Sequence, residues 1–402
     1  METPPNRWEE ASMTIVLAMQ VFTTLFGAGT AALAISMGAT AAAYGWYFLY
    51  RRNLWKAVRQ NWLLAAFVIQ GLMWCLLSLA GLAGWFTLRR EFGVDMSYLP
   101  RQAYYLFFLP VIAAAPYFGD NKRCMEALRR YGRWAVPVLM GLKLIFTRSI
   151  RVDNNQLLWL GILALWCGEY KPLDVINFLL LLTGAYLSEQ TATLLLAVLF
   201  AGVWLLRRWR VLRWLGTLTL PVVLAVSFLL PQVDGMIDRL WALDVNTGWR
   251  LEYWQDEATA IADTYGMGIG FGTTYASHEF SEPQSKMYYD SVEKTYKPTP
   301  FSQNDEYTKE QRPFVTASHN SFVAVAFRQG LPGLLLFVGA LAALWKKIFE
   351  YEGAESGAMI YAFCGSVLLI STNVGLESPM YLLPTLGAAC LVMGRLRERE
   401  AV

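Results

Sequence analysis

The stretch "TASHNSFVAVAFRQGLPG" (316–333) places a histidine and an asparagine at the lip of an apolar run, then an arginine, Arg328, inside it. A run of about 20 apolar residues is what a helix needs to cross a 30 Å hydrocarbon core. The run from 320 to 345 meets that length with one charge in it. Read as a membrane helix, it leads with His319 and Asn320 at an aqueous mouth. Arg328 then stands about 13 Å further down, at 1.5 Å per residue.

The rest of the chain supports that solvent. Of 402 residues, 55% are apolar and only 16% charged, with a mean hydropathy of +0.34. Those proportions lie outside the soluble globular range. The apolar residues come in blocks, at 11–28, 29–50, 62–88, 103–118, 134–146, 157–168, 173–187, 192–206, 212–230, 320–345, 357–371 and 379–394. The fold class expected is an all-α polytopic membrane protein of about twelve transmembrane helices, with one large, partly helical loop outside.

Lysine and arginine placement orients it. With the N-terminus inside, the inner segments carry 20 Lys and Arg and the short outer loops five, namely Arg89, Arg90, Arg101, Arg148 and Arg151. Both termini then lie in the cytoplasm, and the long polar segment 231–318 lies on the far side. The net charge of +3 reflects this topology, and no nucleic-acid partner is expected. "METPPNRWEE" (1–10) lacks a basic start, so the first helix is expected to be a retained anchor. The five cysteines lie in spans or on the inner side, which argues against a disulfide framework. No CxxC occurs, two histidines cannot build a histidine-rich metal site, and no metal or other cofactor is expected.

Three parts follow: an N-terminal bundle of about nine spans (1–230), an outer loop or cap (231–318), and about three C-terminal spans (319–402). The loop holds seven basic, fourteen acidic and fourteen aromatic residues. Aromatic faces with carboxylates suit a carbohydrate surface, and they equally suit the core of a small cap packed at the membrane interface. Within it "GWRLEYWQDEATAIADTYG" (248–266) has helical period, with Leu251, Trp254, Ala258, Ile261 and Ala262 on one stripe. Arg250 and Trp254, one turn apart, share a patch. A helix lying along the membrane would put Arg250 at headgroup level. "GMGIGFG" (266–272) follows, reading as a hinge or as backbone that must come close to another chain or a ligand.

A basic side chain in hydrocarbon is costly and tends to face the bundle interior or a wet cavity. Lys143, near the end of its span, can snorkel. Arg328 admits two readings, a structural ion pair or a cation facing an outward cavity toward an anionic substrate. The residues after it, "QGLPG" (329–333), permit a helix break. Asn320 suits a helix cap. His319 suits an interfacial hydrogen bond, and also acid–base work near neutral pH.

In their order and spacing, "TGWRLEYW" (247–254) with "GMGIGFG", and "SHNSFVAVAFRQGLPGLLLF" (318–337), resemble the O-antigen ligase and polymerase family, as does the layout of many spans and one large periplasmic loop. The resemblance covers about residues 246–345. It implies a membrane glycosyltransferase with an extra-cytoplasmic active site, in the bacterial inner membrane. The chemistry implied is transfer of a glycan from undecaprenyl diphosphate to a sugar hydroxyl, without metal and with inversion. His319 would take the proton of the acceptor; Arg250 and Arg328 would hold the diphosphate, with Asn320 and Trp254 beside them. One departure is visible. In "LSEQTATLLL" (187–196), Gln190 stands where the family often carries a basic residue, and Arg328, Arg312 or Arg151 would have to supply that charge. The expected partners are the lipid-linked glycan donor, a glycan or lipid A core acceptor, membrane lipids and chain-length regulator proteins. A repeat-unit polymerase is the preferred reading, a ligase to lipid A core the alternative, and a lipid-linked glycan transporter the reading from another class. Transporters often pair interrupted helices in two related halves, which this sequence does not display.

Overall fold

A computed structural model describes residues 58–81, 94, 96–110, 112, 134–146, 148–166, 172–188, 190–206, 211–243, 245–275, 287–290, 295–298, 319–373 and 375–400. The expected spans at 11–28 and 29–50, and Arg312, lie outside these residues.

The described part is helical apart from one hairpin. Its helices are α1 (Trp62–Leu79), α2 (Leu99–Phe108), α3 (Trp134–Phe146), α4 (Asn154–Trp166), α5 (Pro172–Tyr186), α6 (Thr191–Leu206) and α7 (Val211–Phe228). After these come α8 (Met236–Leu243) and α9 (Val245–Asp263). A short antiparallel pair, β1 (Met287–Asp290) and β2 (Thr295–Pro298), is followed by α10 (Ser321–Phe349), α11 (Ser356–Thr372) and α12 (Pro379–Glu400). Three segments, Trp62–Leu79, Val211–Gln232 and Ser321–Phe349, are long and apolar enough to cross a membrane, and several shorter apolar helices accompany them. Their outward faces carry large apolar side chains such as Leu76, Phe146, Val198 and Leu335. Helices that are apolar on both the packed and the outward face belong in hydrocarbon, and the protein is a membrane protein.

Small residues set the packing, as they do where helices meet without a hydrophobic drive between them. Helix α11 is the hub, touching α4, α6, α7, α10 and α12. Gly161 on α4 leaves room for the Tyr361 ring of α11, whose hydroxyl donates to Leu157 O at 3.1 Å. On α7, Gly216 admits the Trp345 ring of α10, and Trp345 Nε1 donates to Thr217 Oγ1 at 3.1 Å. One end of the bundle carries an ionic lock. Arg395 pairs with Glu355 at 3.5 Å, Tyr351 Oη donates to Glu355 at 2.8 Å, and Arg213 donates to Tyr351 O at 3.0 Å. The opposite end of α10 carries His319 and Asn320.

The amphipathic stretch expected at 248–266 is part of α9, which begins three residues earlier. Its buried face differs from the expected stripe: Leu251, Tyr253, Trp254, Glu257, Ala260, Ile261 and Thr264 point inward, while Ala262 is exposed. The reason is packing on protein. Helix α9 lies against α8, α10 and α7, so the larger side chains take the covered face and alanine is left outside.

Candidate functional site

Helix α9 ends in a left-handed cap. Gly266 (φ 76°) donates its N–H to Ile261 O at 2.8 Å, closing the last turn as helix C-caps commonly do. From there every second residue, Gly266, Gly268, Gly270 and Gly272, has positive φ. An L side chain rarely adopts that region. The alternation of glycine in the sequence is therefore the alternation of the backbone.

The run is seated in a break of α10. Gly330 is non-helical (φ 73°, ψ −179°), which frees the carbonyls before it. Ile269 N donates to Phe327 O at 2.8 Å, Gly270 N to Arg328 O at 3.0 Å, and Leu331 N returns to Gly266 O at 2.7 Å. Other helices clamp the far end of the run. Phe271 N donates to Ser78 Oγ of α1 at 2.9 Å, and Gly272 N to Gln102 Oε1 of α2 at 2.8 Å. The helix break permitted at "QGLPG" is present, and the "GMGIGFG" backbone comes close to that break in its own chain, not to another chain or a ligand.

Arg328 lies behind this seat and is 1% exposed. Its guanidinium donates to Thr273 Oγ1, to Thr274 O at 3.3 Å and, at the limit of a hydrogen bond, to Gly270 O at 3.5 Å. It also stacks 5.0 Å from the Tyr275 ring centroid, a cation–π distance, with Arg101 5.8 Å from the same ring. The arginine in the apolar run is thus satisfied mainly by loop carbonyls, hydroxyl and ring.

His319 stands at the mouth, half-buried, with φ 59°. A non-glycine residue held there costs of order 1 kcal/mol or more, and such outliers gather at functional sites. The next residue opens α10. Asn320 is an N-cap, its Oδ1 accepting from Phe322 N at 3.0 Å and Val323 N at 3.3 Å, while its Nδ2 donates to Ser227 Oγ of α7 at 2.8 Å. The cap expected from sequence is present, and it is buried.

Arg250 reaches the C-terminal end of α11, donating to Thr372 O at 3.2 Å. Four residues on, Leu376 N donates to Ser321 Oγ, two residues past His319, at 3.1 Å. Thr372 and Leu376, four residues apart, therefore contact Arg250 and the start of α10 respectively. Trp254 packs with Leu251, Tyr253, Tyr275 and Val323 rather than lying open. Gln190 is exposed at the start of α6, accepting from Thr193 Oγ1 at 3.2 Å. Arg151 is exposed, and its neighbour Val152 donates its N–H to Gly184 O of α5 at 2.9 Å.

Sequence reasoning did not single out Tyr275, Gln102 or Glu377. Gln102 and Tyr275 sit in segments without a distinguishing pattern, and Glu377 lies in "TNVGLESP" (372–379), which reads as a turn. Glu377 is 4% exposed. Burial raises its carboxyl above the ordinary range, opposed by the charges of Arg328 and Arg101 and by the Tyr275 hydroxyl. Among the described residues no group of three or more His, Cys, Asp and Glu is placed to hold a metal ion.

Residues 176–338, from α5 to the middle of α10, match the family described as O-antigen ligase. Over that segment the chain is similar to the O-antigen ligase family. That segment includes Gln190, Arg250, the glycine run, His319, Asn320 and Arg328, and it stops just beyond the break at Gly330. Glu377 and the hub segment 372–376 lie outside the O-antigen ligase match, on the C-terminal side. No curated protein shows significant similarity to the chain.

Proposed function

We propose that this protein is a bacterial inner-membrane glycosyltransferase that moves a glycan from a polyprenyl diphosphate to a sugar hydroxyl at the periplasmic face. Its termini are cytoplasmic, and it acts as a repeat-unit polymerase. The observation that supports the reading is a pair of hydrogen bonds four residues apart, Arg250 to Thr372 O and Leu376 N to Ser321 Oγ, the latter two residues past the positive-φ backbone of His319.

The chemistry suits those two groups. His319 takes the proton of the acceptor hydroxyl as its oxygen attacks the anomeric carbon. The bond from that carbon to the diphosphate oxygen breaks, and the centre inverts. Negative charge grows on the departing diphosphate, where a fixed guanidinium fork stabilises it. Arg250 is the group for this contact. Arg328, committed to the glycine run, contributes its charge from behind. A hydrocarbon chain also has a place to lie. An apolar cavity of about 140 Å³ is lined by residues of α1, α10, α11 and α12, with Gln60, Lys347 and Leu376 among its walls.

The test is transfer by the purified full-length protein in lipid nanodiscs, supplied with lipid-diphosphate-linked repeat units alone. Polymer without any lipid A core acceptor is expected. Product only when lipid A core is added would make it a ligase, the reading that the family's description favours. In either case His319→Ala is expected to lower the rate at least about 100-fold, the scale of a lost general base. Arg250→Lys, which keeps the charge and loses the fork, is expected to lower it less. Normal transfer by the variant with both residues replaced by alanine would overturn the reading.

A further inference from the structure

Burying a carboxyl is unfavourable unless nearby charge repays it. Glu377, in the turn between α11 and α12, is buried. Its surroundings explain what the charge is for. The Tyr275 ring carries the Arg328 guanidinium at 5.0 Å and that of Arg101 at 5.8 Å. The Tyr275 hydroxyl stands beside the Glu377 carboxyl. That contact is electrostatic rather than a well-formed hydrogen bond, since Tyr275 Oη and Glu377 Oε2 both lack a partner of good geometry. Two guanidinium groups and one carboxyl thus surround one buried ring.

The backbone next to Glu377 is equally committed. Leu376 N is held by Ser321 Oγ at 3.1 Å, and Thr372 O by Arg250 at 3.2 Å. Between them Gly375 is packed so closely on Ile370 that a β-carbon would lie 2.7 Å from Ile370 Cα. A shift of Glu377 therefore carries these two contacts with it, toward Arg250 on one side and toward the His319–Asn320 mouth on the other.

We infer that Glu377 is a positioning residue of the transfer site: its carboxyl, set against Tyr275 and the Arg328 and Arg101 charges, docks the segment 372–377 so that Arg250 and His319 are held together. It touches no reacting atom. The inference rests on the glycan-transfer reading above, and it extends the site beyond the O-antigen ligase match into the C-terminal helices.

The experiment uses the full-length protein in nanodiscs with a lipid-diphosphate-linked oligosaccharide, comparing Glu377→Gln and Glu377→Asp with the unaltered chain. For Glu377→Gln, kcat is expected to fall tenfold or more while the donor KM changes less than threefold, because binding groups remain and their alignment is lost. Glu377→Asp is expected to recover a large part of kcat. Amide exchange over 268–275 is expected to be at least tenfold faster in Glu377→Gln. Wild-type kcat in Glu377→Gln, a change confined to KM, or unaltered exchange in 268–275 would each overturn the inference. A loss in Glu377→Gln that Glu377→Asp does not relieve would also count against it. If the unaltered protein transfers nothing, the proposed function fails, and the exchange comparison still decides whether Glu377 positions the run.

Discussion

Gly268 and Gly330 meet backbone to backbone: a β-carbon on Gly268 would lie 2.5 Å from the Gly330 nitrogen, and one on Gly330 would lie 2.4 Å from Met267 O. Both residues have positive φ, 80° and 73°. Each glycine is needed because of the other. Gly268→Ala is therefore expected to be destabilising by about 2 kcal/mol or more, adding a disallowed backbone conformation to a contact that only backbone shifts can relieve. The measurement is the thermal melt of purified protein followed by tryptophan fluorescence. A melt at the wild-type temperature would mean that the run does not seat in the break of α10.

The cap at Asn320 separates two roles in one side chain. Its Oδ1 satisfies the first N–H groups of α10, and its Nδ2 satisfies Ser227 Oγ. Asn320→Asp keeps the acceptor and loses the donor; Asn320→Ala loses both. The expected costs are of order 1 kcal/mol for the aspartate, with an added penalty for a buried charge, and roughly 2 kcal/mol for the alanine. Melting of the two variants side by side checks the order. Were alanine the milder change, the buried charge of the aspartate would outweigh the cap.

The helices of the membrane bundle were legible in the sequence because hydrocarbon is an undemanding solvent: length and apolarity suffice. The runs expected as spans at 173–187, 192–206 and 357–371 are apolar helices, Pro172–Tyr186, Thr191–Leu206 and Ser356–Thr372, each shorter than the three helices long enough to cross a membrane. The break at Gly330 and the cap at Asn320 were legible too, since glycine, proline and asparagine have few other local uses. What pairs with what was not. Arg328 gave no sign that its partners would be carbonyls and a hydroxyl 54 to 58 residues earlier. Glu377 stood in an ordinary turn, and Ala262 fell on the expected stripe although it faces outward. Such relations are made by tertiary packing, and periodicity along one element does not encode them.

His319 carries the strained backbone at the mouth, with φ 59°. Replacing it by glycine relieves that strain at a conformation glycine adopts freely. His319→Gly is expected to melt at or above the wild-type temperature while its glycan transfer falls at least about 100-fold. Folding and chemistry would then move in opposite directions, which only a residue strained for function produces. Loss of both would assign His319 to the fold.

Stability against pH tests the buried carboxyl without any substrate. Burial raises Glu377 above the ordinary carboxylate value of 4.5, and the groups facing it are Tyr275 in the glycine-run loop, Arg328 on α10 and Arg101 on α2, with Tyr105 of α2 within its field. A carboxyl with a raised value in the folded protein binds more protons folded than unfolded between those two values. Stability must then fall as pH rises from the ordinary value through the raised one, and level off above it. Glu377→Gln removes the group, so its melting temperature is expected to lack that fall, and the difference between the two proteins to move in the variant's favour as pH rises. The measurement is a set of melts from pH 4.5 to 8 for both proteins, with the difference between them plotted against pH. A flat difference would show that the fold holds Glu377 no differently from an exposed carboxyl. A difference of opposite slope would show that the charges of Arg328 and Arg101 outweigh its burial.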